Sequence, residues 1–394
     1  MFEGLNLVDG AWYAEDPHAI WSELRMHSPV HYDPVSDVWG ISRYADVLAV
    51  EKDPKTFSSH RAPRPHGDHL PMMISMDDPE HQRRRSLVSR GFTPKKVSGH
   101  EPLLRDLCRT IINAVAEKGR CDFVWDIAAP LPLLVIADML GLSDMQEDLL
   151  RWSEELMRPT PAAPTPEQME EGARTIMAFR EAQLEVIADR RKHPRADVIT
   201  ALCEAEIDGD RLDDESIVME TLLILIGGDE TTRHVISGGM LALLENPDQF
   251  EALRGRSADM TVAVEEMIRW VSPIQNMART ATRDVTVRDQ LIPQGAQVIL
   301  FYPSANRDED VFKDPQRLDI SRQPNPHIAF GFGTHFCLGA SLARLECRVM
   351  FDELLRRLPD LRTATDAPLP RRASNFVSGL ETMPVEFTPA AREG

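Results

Sequence analysis

The chain has 394 residues, 42% hydrophobic and 27% charged, so it can bury a large core and is neither disordered nor collagen-like. Its 44 basic and 63 acidic side chains give a net charge of −19, which argues against nucleic acid or an anionic membrane as a partner. Five widely spaced cysteines without a Cys-x-x-Cys pair indicate neither a disulfide framework nor a zinc site, and favour a reducing cytoplasm. Length alone is compatible with two or three domains.

Helical and strand-like patterns alternate in the first 60 residues. Apolar spacing predicts helices over 17–27 and 44–51, with short strands at 30–32 and 38–42. From 58 to 76 the chain is rich in His, Pro, Arg and Met, has no periodicity and is longer than an ordinary connection. We therefore expect residues 58–76 to form a mobile loop over a ligand site. The N-terminus has no apolar stretch, so neither a signal peptide nor a membrane anchor is expected.

The middle of the chain is predicted to be mainly helical. The predicted helices are 101–118, 130–139, 146–157, 167–191 and 214–244. Four prolines between Pro159 and Pro166 cannot be helical, so residues 157–168 are a second candidate for a mobile lid. The range 214–244 is the longest helical pattern, and at 1.5 Å per residue it would span about 45 Å and cross the molecule.

The last third mixes helices, strands and coil. The predicted elements are one helix from Pro247 to Trp270, strands at 285–287 and 298–301, coil over 304–336, a last helix over 339–358, and hairpin-like turns over 361–388. No internal repeat and no linker between two cores is visible in the sequence.

The strongest local motif is Phe-Gly-Phe-Gly-Thr-His-Phe-Cys-Leu-Gly, from Phe330 to Gly339. Its three glycines let the backbone turn tightly and approach a flat ligand. Cys337 precedes the last predicted helix, where amide groups at the helix start stabilise a thiolate. A lone cysteine in such a place is usually structural, but the surrounding glycines and aromatic residues favour a metal ligand or a nucleophile.

Two adjacent glycines, Gly227 and Gly228, lie inside the longest predicted helix, next to Glu230 and Thr231. Each glycine costs about 1 kcal/mol relative to alanine in a helix interior, so the pair needs a reason. One reason is to admit a small ligand, with the Thr231 hydroxyl bonding to the preceding turn and Glu230 relaying protons. The other is close packing of a second helix on the glycines, and the sequence leaves both open.

Two further motifs pair charged residues at helical spacing. Glu266 and Arg269 lie three residues apart, and His81 and Arg85 lie four apart, so each pair shares one face of a helix. Such pairs are common on surfaces. His81 and Arg85 are also spaced so that both could reach one anionic ligand.

Together and in this order, the four motifs resemble the cytochrome P-450 superfamily over essentially the whole chain, and specifically its soluble bacterial members. The resemblance implies a mainly α fold with small β-sheets, in which residues 1–394 form a single large helical domain around a haem b. It makes Cys337 the axial thiolate ligand of the haem iron. It also makes Thr231 and Glu230 the pair that delivers protons during dioxygen activation.

The same resemblance implies roles for the other motif residues. The positions that match cofactor-binding residues are His81, Arg85, Arg279, His335, Gly227 and Gly228. Glu266, Arg269 and Arg322 match a structural ion-pair cluster behind the cysteine. Asp229 departs from the family pattern, in which many members carry histidine.

Three segments, 71–78, 220–234 and 375–384, look like the actinobacterial enzymes that hydroxylate the terminal methyl group of the cholesterol side chain. The resemblance therefore implies a monooxygenase that hydroxylates an unactivated C–H bond of a sterol side chain or similar branched lipid, using dioxygen and two electrons. The apolar residues that could line its substrate pocket are Met72, Met73, Ile74, Ile226, Ile274, Met277, Phe376 and Val377. Core packing explains each of these residues equally well.

Three alternative functions share the cysteine motif. A tailoring hydroxylase of a macrolide or terpenoid shares every motif and stays open. A haem-binding sensor without turnover would not need Glu230 and Thr231, and a peroxide-using fatty-acid hydroxylase usually replaces them. The acid–alcohol pair therefore favours a monooxygenase over the last two.

The segment from His81 to His100 carries six basic residues and no acid, although the whole chain is strongly acidic. By the resemblance it lies on the face nearest the thiolate, where an acidic ferredoxin, itself reduced by a ferredoxin reductase, docks. The expected docking residues are Arg83, Arg84, Lys95, Lys96, Arg344 and Arg348. A solvated helix face is the alternative. We also expect a monomer located in the cytoplasm.

Overall fold

The structure is a computed structural model that describes residues 2, 4–157, 165–207 and 209–393. Helices dominate these ranges. The α-helices are α1 (Ala11–Ala14), α2 (His18–His27), α3 (Tyr44–Glu51), α4 (Glu80–Val88), α5 (Pro94–Gly99), α6 (Glu101–Ala116), α7 (Pro130–Met139), α8 (Gln146–Met157), α9 (Pro166–Lys192), α10 (Val198–Glu204), α11 (Asp214–Leu244), α12 (Pro247–Arg254), α13 (Met260–Val271), α14 (Tyr302–Ala305) and α15 (Ala340–Arg357). None of the described helices is both long and apolar enough to cross a membrane.

The strands are short and form small sheets. They are β1 (Val30–Asp33), β2 (Val38–Ile41), β3 (Phe57–Ser58), β4 (Arg120–Asp122), β5 (Glu206–Ile207), β6 (Asp210–Arg211), β7 (Asn276–Ala281), β8 (Val285–Val287), β9 (Gln290–Ile292), β10 (Gln297–Phe301), β11 (Arg362–Thr363) and β12 (Pro384–Glu386). The largest sheet has the order β1-β2-β10-β7-β3, with β2 and β10 parallel and the other pairs antiparallel. A second sheet has the order β11-β12-β4, and β5-β6 and β8-β9 are separate hairpins.

Helix α11 forms the centre of the helical part. The side chain of Asp213 caps its start by accepting the Ser216 N–H at 2.7 Å, and the helix then runs without a break for 31 residues. It packs against α7, α13 and α15, and apolar residues are buried along its length. The predicted boundaries of α11 are confirmed. Although α11 is buried on several sides, its sequence still contains local capping residues and helix-forming residues.

The sheet has a core on each face. Val298 and Leu300 of β10 pack into one cluster, whereas Ile299 and Phe301 pack into another on the opposite face. This alternation is the period of two that a strand imposes on its side chains. The larger core lies among the helices and includes residues of α6, α7, α11, α13 and α15.

Several elements differ from the predictions. The helix expected from Pro247 to Trp270 is two helices, because Arg256 adopts a left-handed conformation and Asp259 caps a new start at Met260. Strand β7 was not predicted, because its polar residues hide the alternation of apolar and polar side chains that is typical of a strand. It forms a strand because it is buried between β10 and β3. The loop at 58–76 contains the end of β3 and a 3-10 turn at Met73–Ser75. Most of the proline-rich lid candidate, 158–164, lies outside the described residues.

Candidate active site

The loop that carries Cys337 is shaped by its glycines. Gly331 and Gly333 have φ values of 68° and 72°, which side chains rarely tolerate. A Cβ atom on Gly333 would lie 2.7 Å from the carbonyl oxygen of Glu51, so only glycine fits there. The loop closes when the Cys337 N–H donates to the Phe330 carbonyl at 2.9 Å. The motif therefore presents one sulfur atom on a rigid turn.

Cys337 is accessible to solvent, although many protein atoms lie around its thiol. Burial raises the pKa of Cys337, while the backbone N–H groups of Gly339 and Ala340 and the charges of Arg85 and Arg344 lower it. The stabilising amides expected from the sequence are present, but burial is the largest effect. A cation at the sulfur would favour the thiolate, as metal coordination does.

Four predicted cofactor-binding residues converge next to this loop. The rings of His81 and His335 stack with centroids 4.0 Å apart and planes 30° from parallel. Burial, together with the nearby Arg279, His81 and Arg85, lowers the pKa of His335 to about 2. Burial also lowers the pKa of His81. Both imidazoles are therefore neutral, and two guanidinium groups face the same region.

The hydrogen bonds of these residues leave one buried nitrogen atom without a partner among the described residues. His81 is 2% exposed, and its Nε2 atom has no hydrogen-bond partner among the described residues. Arg85 donates to the carbonyl oxygen of Phe336, the residue before the cysteine. Buried donors and guanidinium groups that converge in this way fit an anionic edge, such as the propionates of the haem that the resemblance implies.

Arg279 has a partner that sequence reasoning missed. Its Nη2 atom lies 3.0 Å from an oxygen of the buried Glu51, and its Nη1 donates to the Ala278 carbonyl. The Tyr302 hydroxyl donates to the other oxygen of Glu51. Glu51 is the last residue of α3, and no local pattern marks it. The positive charge of Arg279 is thus already balanced by the Glu51 carboxylate where Arg279 reaches the cofactor region.

The two glycines of α11 serve different purposes. A Cβ atom on Gly227 would meet nothing within 4 Å, whereas one on Gly228 would lie 2.8 Å from Cδ1 of Ile136 in α7. Gly227 thus leaves open space, and Gly228 allows a neighbouring helix to pack closely. The Thr231 hydroxyl donates to the Gly227 carbonyl at 2.8 Å, so the side-chain bond to the preceding turn exists in an unbroken helix.

Glu230 points away from solvent and is paired. The Arg372 Nη1 donates to its Oε2 at 2.6 Å, while its Oε1 accepts no hydrogen bond from the described residues. Burial raises the pKa of Glu230, and Arg372 lowers it. Arg372 lies in the irregular segment between β11 and β12 and was not predicted. The neighbouring Asp229 is also buried and accepts from Ser153 at 2.7 Å.

Arg64, from the loop 58–76, is a second cation near Glu230. Its guanidinium stacks on the ring of Phe376 with 4.3 Å to the centroid. Burial lowers the pKa of Arg64, and the nearby Glu230 raises it. The loop therefore does reach the site, although no sequence pattern indicated which of its residues would do so.

The predicted ion-pair cluster is present and buried. Glu266 accepts from Arg269 at 2.7 Å through each of its oxygens, and from Nε of Arg322 at 3.1 and 3.2 Å. Glu266 and Arg269 have no exposed surface. Arg269 also donates to the carbonyls of Asn306 and Pro315, so the cluster fixes the coil that leads to the cysteine loop.

The eight candidate pocket residues divide into two groups. Met72, Met73 and Val377 are buried by protein packing. The others are half-buried: Ile74, Ile226, Ile274, Met277 and Phe376. A backbone bridge pairs Ile274 with Val377, which places these two segments side by side. The half-buried group therefore offers apolar surface, and the buried group supports it.

The predicted docking patch carries less net positive charge than its six basic residues alone would give. Acids from distant segments pair with four of its six residues: Arg83 with Asp210 at 2.5 Å, Arg84 with Glu220 at 3.6 Å, Arg344 with Glu265 at 2.6 Å, and Arg348 with Glu101 at 2.9 Å. The Arg84 side chain is only 18% exposed and points inward, which contradicts a docking role for it. Lys95 and Lys96 are exposed and have no acidic partner among the described residues.

Comparison with known proteins agrees with this geometry. The family model described as Cytochrome P450 matches residues 37–255 and 260–378. The steroid C26-monooxygenase of Mycobacterium tuberculosis is 46% identical over 98% of this chain and 98% of its own length. The methyl-branched lipid omega-hydroxylase of Mycobacterium bovis is 38% identical over 93% of this chain and 90% of its own.

A solved structure extends the similarity to the fold. CYP109E1 from Bacillus megaterium, in complex with corticosterone, superposes with a TM-score of 0.87 and is 32% identical, covering 95% of this chain and 98% of that one. The family match spans most of the chain and includes the cysteine loop, α11 and the ion-pair cluster. This chain therefore belongs to the cytochrome P450 family and is a monooxygenase that works with a haem iron.

Proposed function

We propose that this enzyme hydroxylates the terminal methyl group of a sterol side chain or a similar methyl-branched lipid. The observation that carries the proposal is the 46% identity, over nearly the full length of both chains, with a protein named steroid C26-monooxygenase. The 38% identity with a methyl-branched lipid omega-hydroxylase points to the same chemical class, an unactivated methyl group at the end of an apolar chain.

We infer that haem b is held by Cys337 at the iron and by His81, Arg85, Arg279 and His335 at its anionic edge. The orphaned Nε2 of His81 and the guanidinium groups around His335 support this assignment. When bound, a haem with a thiolate ligand supplies an oxidant strong enough to attack an unactivated C–H bond. Since these residues are spread from position 81 to position 337, we infer that residues 1–394 work as a single domain.

The proposed role of α11 is to handle protons. Thr231 holds its hydroxyl against the Gly227 carbonyl, next to the open space that Gly227 leaves. Glu230 is one residue away, and Arg372 favours the charged form of its buried carboxylate. We propose that Glu230 carries protons inward and that Thr231 orients the last donor.

Apolar surface on three segments supports the substrate assignment. Ile74, Ile226 and Met277 are half-buried on the loop 58–76, α11 and β7, and Phe376 adds an aromatic face from the C-terminal region. Such a lining suits a long apolar ligand that is fixed by few polar groups. Arg64 on Phe376 is the one guanidinium stacked on this lining among the described residues.

The electron donor is proposed to be a ferredoxin that docks near Lys95 and Lys96. A cleft of about 280 Å³ lies between α5, α13 and α15, and charged residues Glu101, Glu265, Arg344 and Arg348 line it. Arg344 stacks on the ring of Phe330, in the cysteine loop, with 4.6 Å to the centroid. The cleft is therefore connected to the thiolate by direct contacts.

The test of the substrate class is a binding titration. Purified holoenzyme is titrated with cholest-4-en-3-one, a methyl-branched fatty acid, a macrolide and a short terpene, and the Soret band is followed. We expect a shift to the high-spin form with the first two ligands only. A shift with the macrolide or the terpene, and none with cholest-4-en-3-one, would replace the proposal with a tailoring hydroxylase.

A further inference from the structure

A buried carboxylate on α11 is not used by any role assigned so far. Glu220 has no exposed surface, and it lies seven residues before Gly227 in the same helix. Its Oε1 accepts the backbone N–H of Met73 at 2.9 Å, and the Nη1 of Arg84 lies 3.6 Å away. Its other oxygen, Oε2, has no hydrogen-bond partner among the described residues.

The bond to Met73 ties α11 to the loop 58–76. Met73 begins the short turn Met73–Ser75, which follows Met72 and contains Ile74, three of the candidate pocket residues. The other end of the turn lies next to His335, because the backbone of Met76 acts on the pKa of His335. This piece of pocket wall is therefore hydrogen-bonded to α11 and lies beside the cysteine loop.

The charges around Glu220 make its hydrogen bond to Met73 sensitive to protonation of the carboxylate. Burial raises the pKa of Glu220 to about 7, while Arg84 and the Met73 N–H act in the opposite direction. Arg84 comes from α4, and it also lowers the pKa of Asp213, the capping residue at the start of α11. The turn Met73–Ser75 contacts the carboxylate through the Met73 backbone amide, and among the described residues Arg84 is the charged group that pairs with Glu220.

We propose that Glu220 is a positioning residue for the substrate: with Arg84, it holds the Met72–Ile74 wall of the pocket against α11. A charged acceptor makes a stronger hydrogen bond to the Met73 amide than a neutral one, and it keeps Arg84 in place. Protonation of Glu220 removes both effects and loosens the wall. Substrate binding should therefore weaken as the pH falls through neutrality. This proposal rests on the proposed function for the assignment of Met72–Ile74 to the pocket.

The first test measures the dissociation constant of cholest-4-en-3-one by the Soret shift between about pH 6 and pH 8.5 in the holoenzyme. For the wild type we expect a dissociation constant about fivefold higher at the acidic end. Glu220→Gln keeps an acceptor for Met73 but has no charge, so its dissociation constant should stay near the acidic wild-type value at every pH. Arg84→Gln should weaken binding mainly at the alkaline end.

Glu204→Gln is the matched control, because Glu204 is an exposed glutamate at the end of α10. It should keep the wild-type pH profile. A Glu220→Gln enzyme that also keeps the wild-type profile would overturn the proposal. A carbon-monoxide difference spectrum at each pH verifies that every variant retains its thiolate-ligated haem.

The second test does not depend on a substrate. Hydrogen exchange of the segment that contains Met73, corrected for the intrinsic effect of pH, should show about fivefold less protection near pH 6 than near pH 8 in the wild type. Glu220→Gln should show no such difference. Equal wild-type protection at both pH values overturns the proposal. If neither cholest-4-en-3-one nor the methyl-branched fatty acid binds at any pH, the proposed function fails, and this exchange measurement alone decides the role of Glu220.

Discussion

Arg372 and Glu230 form a buried ion pair in which the Arg372 Nη1 donates to the Glu230 Oε2 at 2.6 Å. The two residues are 142 positions apart in the sequence. Glu230 has no exposed surface, so the charge of its carboxylate depends on the cations around it: chiefly Arg372, and also Arg233 of α11 and Arg64 of the loop 58–76. Removing one partner of such a pair leaves the other charge buried without compensation.

Replacing Arg372 should therefore change proton delivery. Burial raises the pKa of Glu230 and Arg372 lowers it, so Arg372→Ala should raise this pKa further. More Glu230 is then protonated at any given pH, and the rising limb of kcat against pH should move to higher pH. We expect turnover near neutral pH to fall about tenfold, with the solvent isotope effect increased.

Arg371→Ala is the control for that experiment, since Arg371 is the exposed neighbour of Arg372. Its pH profile should match the wild type. An Arg372→Ala enzyme with an unshifted profile would show that the ion pair has no part in the proton path.

Loss of the Thr231 hydroxyl should uncouple the reaction. Thr231→Ala removes the bond to the Gly227 carbonyl but leaves the backbone of α11 unchanged. We expect haem content and substrate binding to persist while electrons from NADH appear as peroxide instead of product. Thr231→Ser keeps a hydroxyl and should keep most of the coupling. Unchanged coupling of NADH use to product in Thr231→Ala would contradict the role given to this residue.

The identity of the iron ligand can be read from a spectrum. Cys337→Ser should lose the red-shifted carbon-monoxide band that only a thiolate ligand gives. Cys121→Ser, a half-buried cysteine in β4, should keep it. A Cys337→Ser protein that retains the band would mean that another residue binds the iron.

The buried ion-pair cluster should matter for stability, unlike a surface pair of the same spacing. Arg269→Ala leaves the fully buried Glu266 without its two 2.7 Å bonds from Arg269 and is expected to cost about 3–5 kcal/mol in unfolding free energy. Arg254→Ala removes an exposed partner of Glu251 at the same three-residue spacing and should leave Tm unchanged. Thermal unfolding of both variants, followed by circular dichroism, makes the comparison; equal Tm values would refute it.

Electron transfer should depend on the two unpaired lysines. The double change Lys95→Glu and Lys96→Glu is expected to raise KM for the ferredoxin about tenfold and to weaken its dependence on salt. Lys192→Glu reverses one lysine charge at the end of α9 and serves as the control for charge reversal away from the patch. Substrate binding measured without ferredoxin should be equal in all three proteins. An unchanged KM for the ferredoxin would move the docking site elsewhere.

Local sequence patterns determined much of this protein. Helices at 44–51, 130–139, 146–157 and 214–244 have the predicted boundaries, because caps, prolines and apolar spacing act within a few residues. The cysteine loop was equally readable, since its glycines are required by backbone geometry that a sequence motif states directly. The Glu266–Arg269 pair could also be recognised from the sequence, because a three-residue spacing places both side chains on one face of a helix.

Tertiary structure alone decided which charges meet. Glu51 lies 228 residues from Arg279, Glu220 lies 147 residues from Met73, and neither contact leaves a local pattern. Acids from elsewhere in the chain also pair with two of the six basic residues in a segment that contains no acid. Periodicity and caps are set by neighbours in sequence, but the state of a buried charge is set by whatever the fold brings within a few ångströms of it.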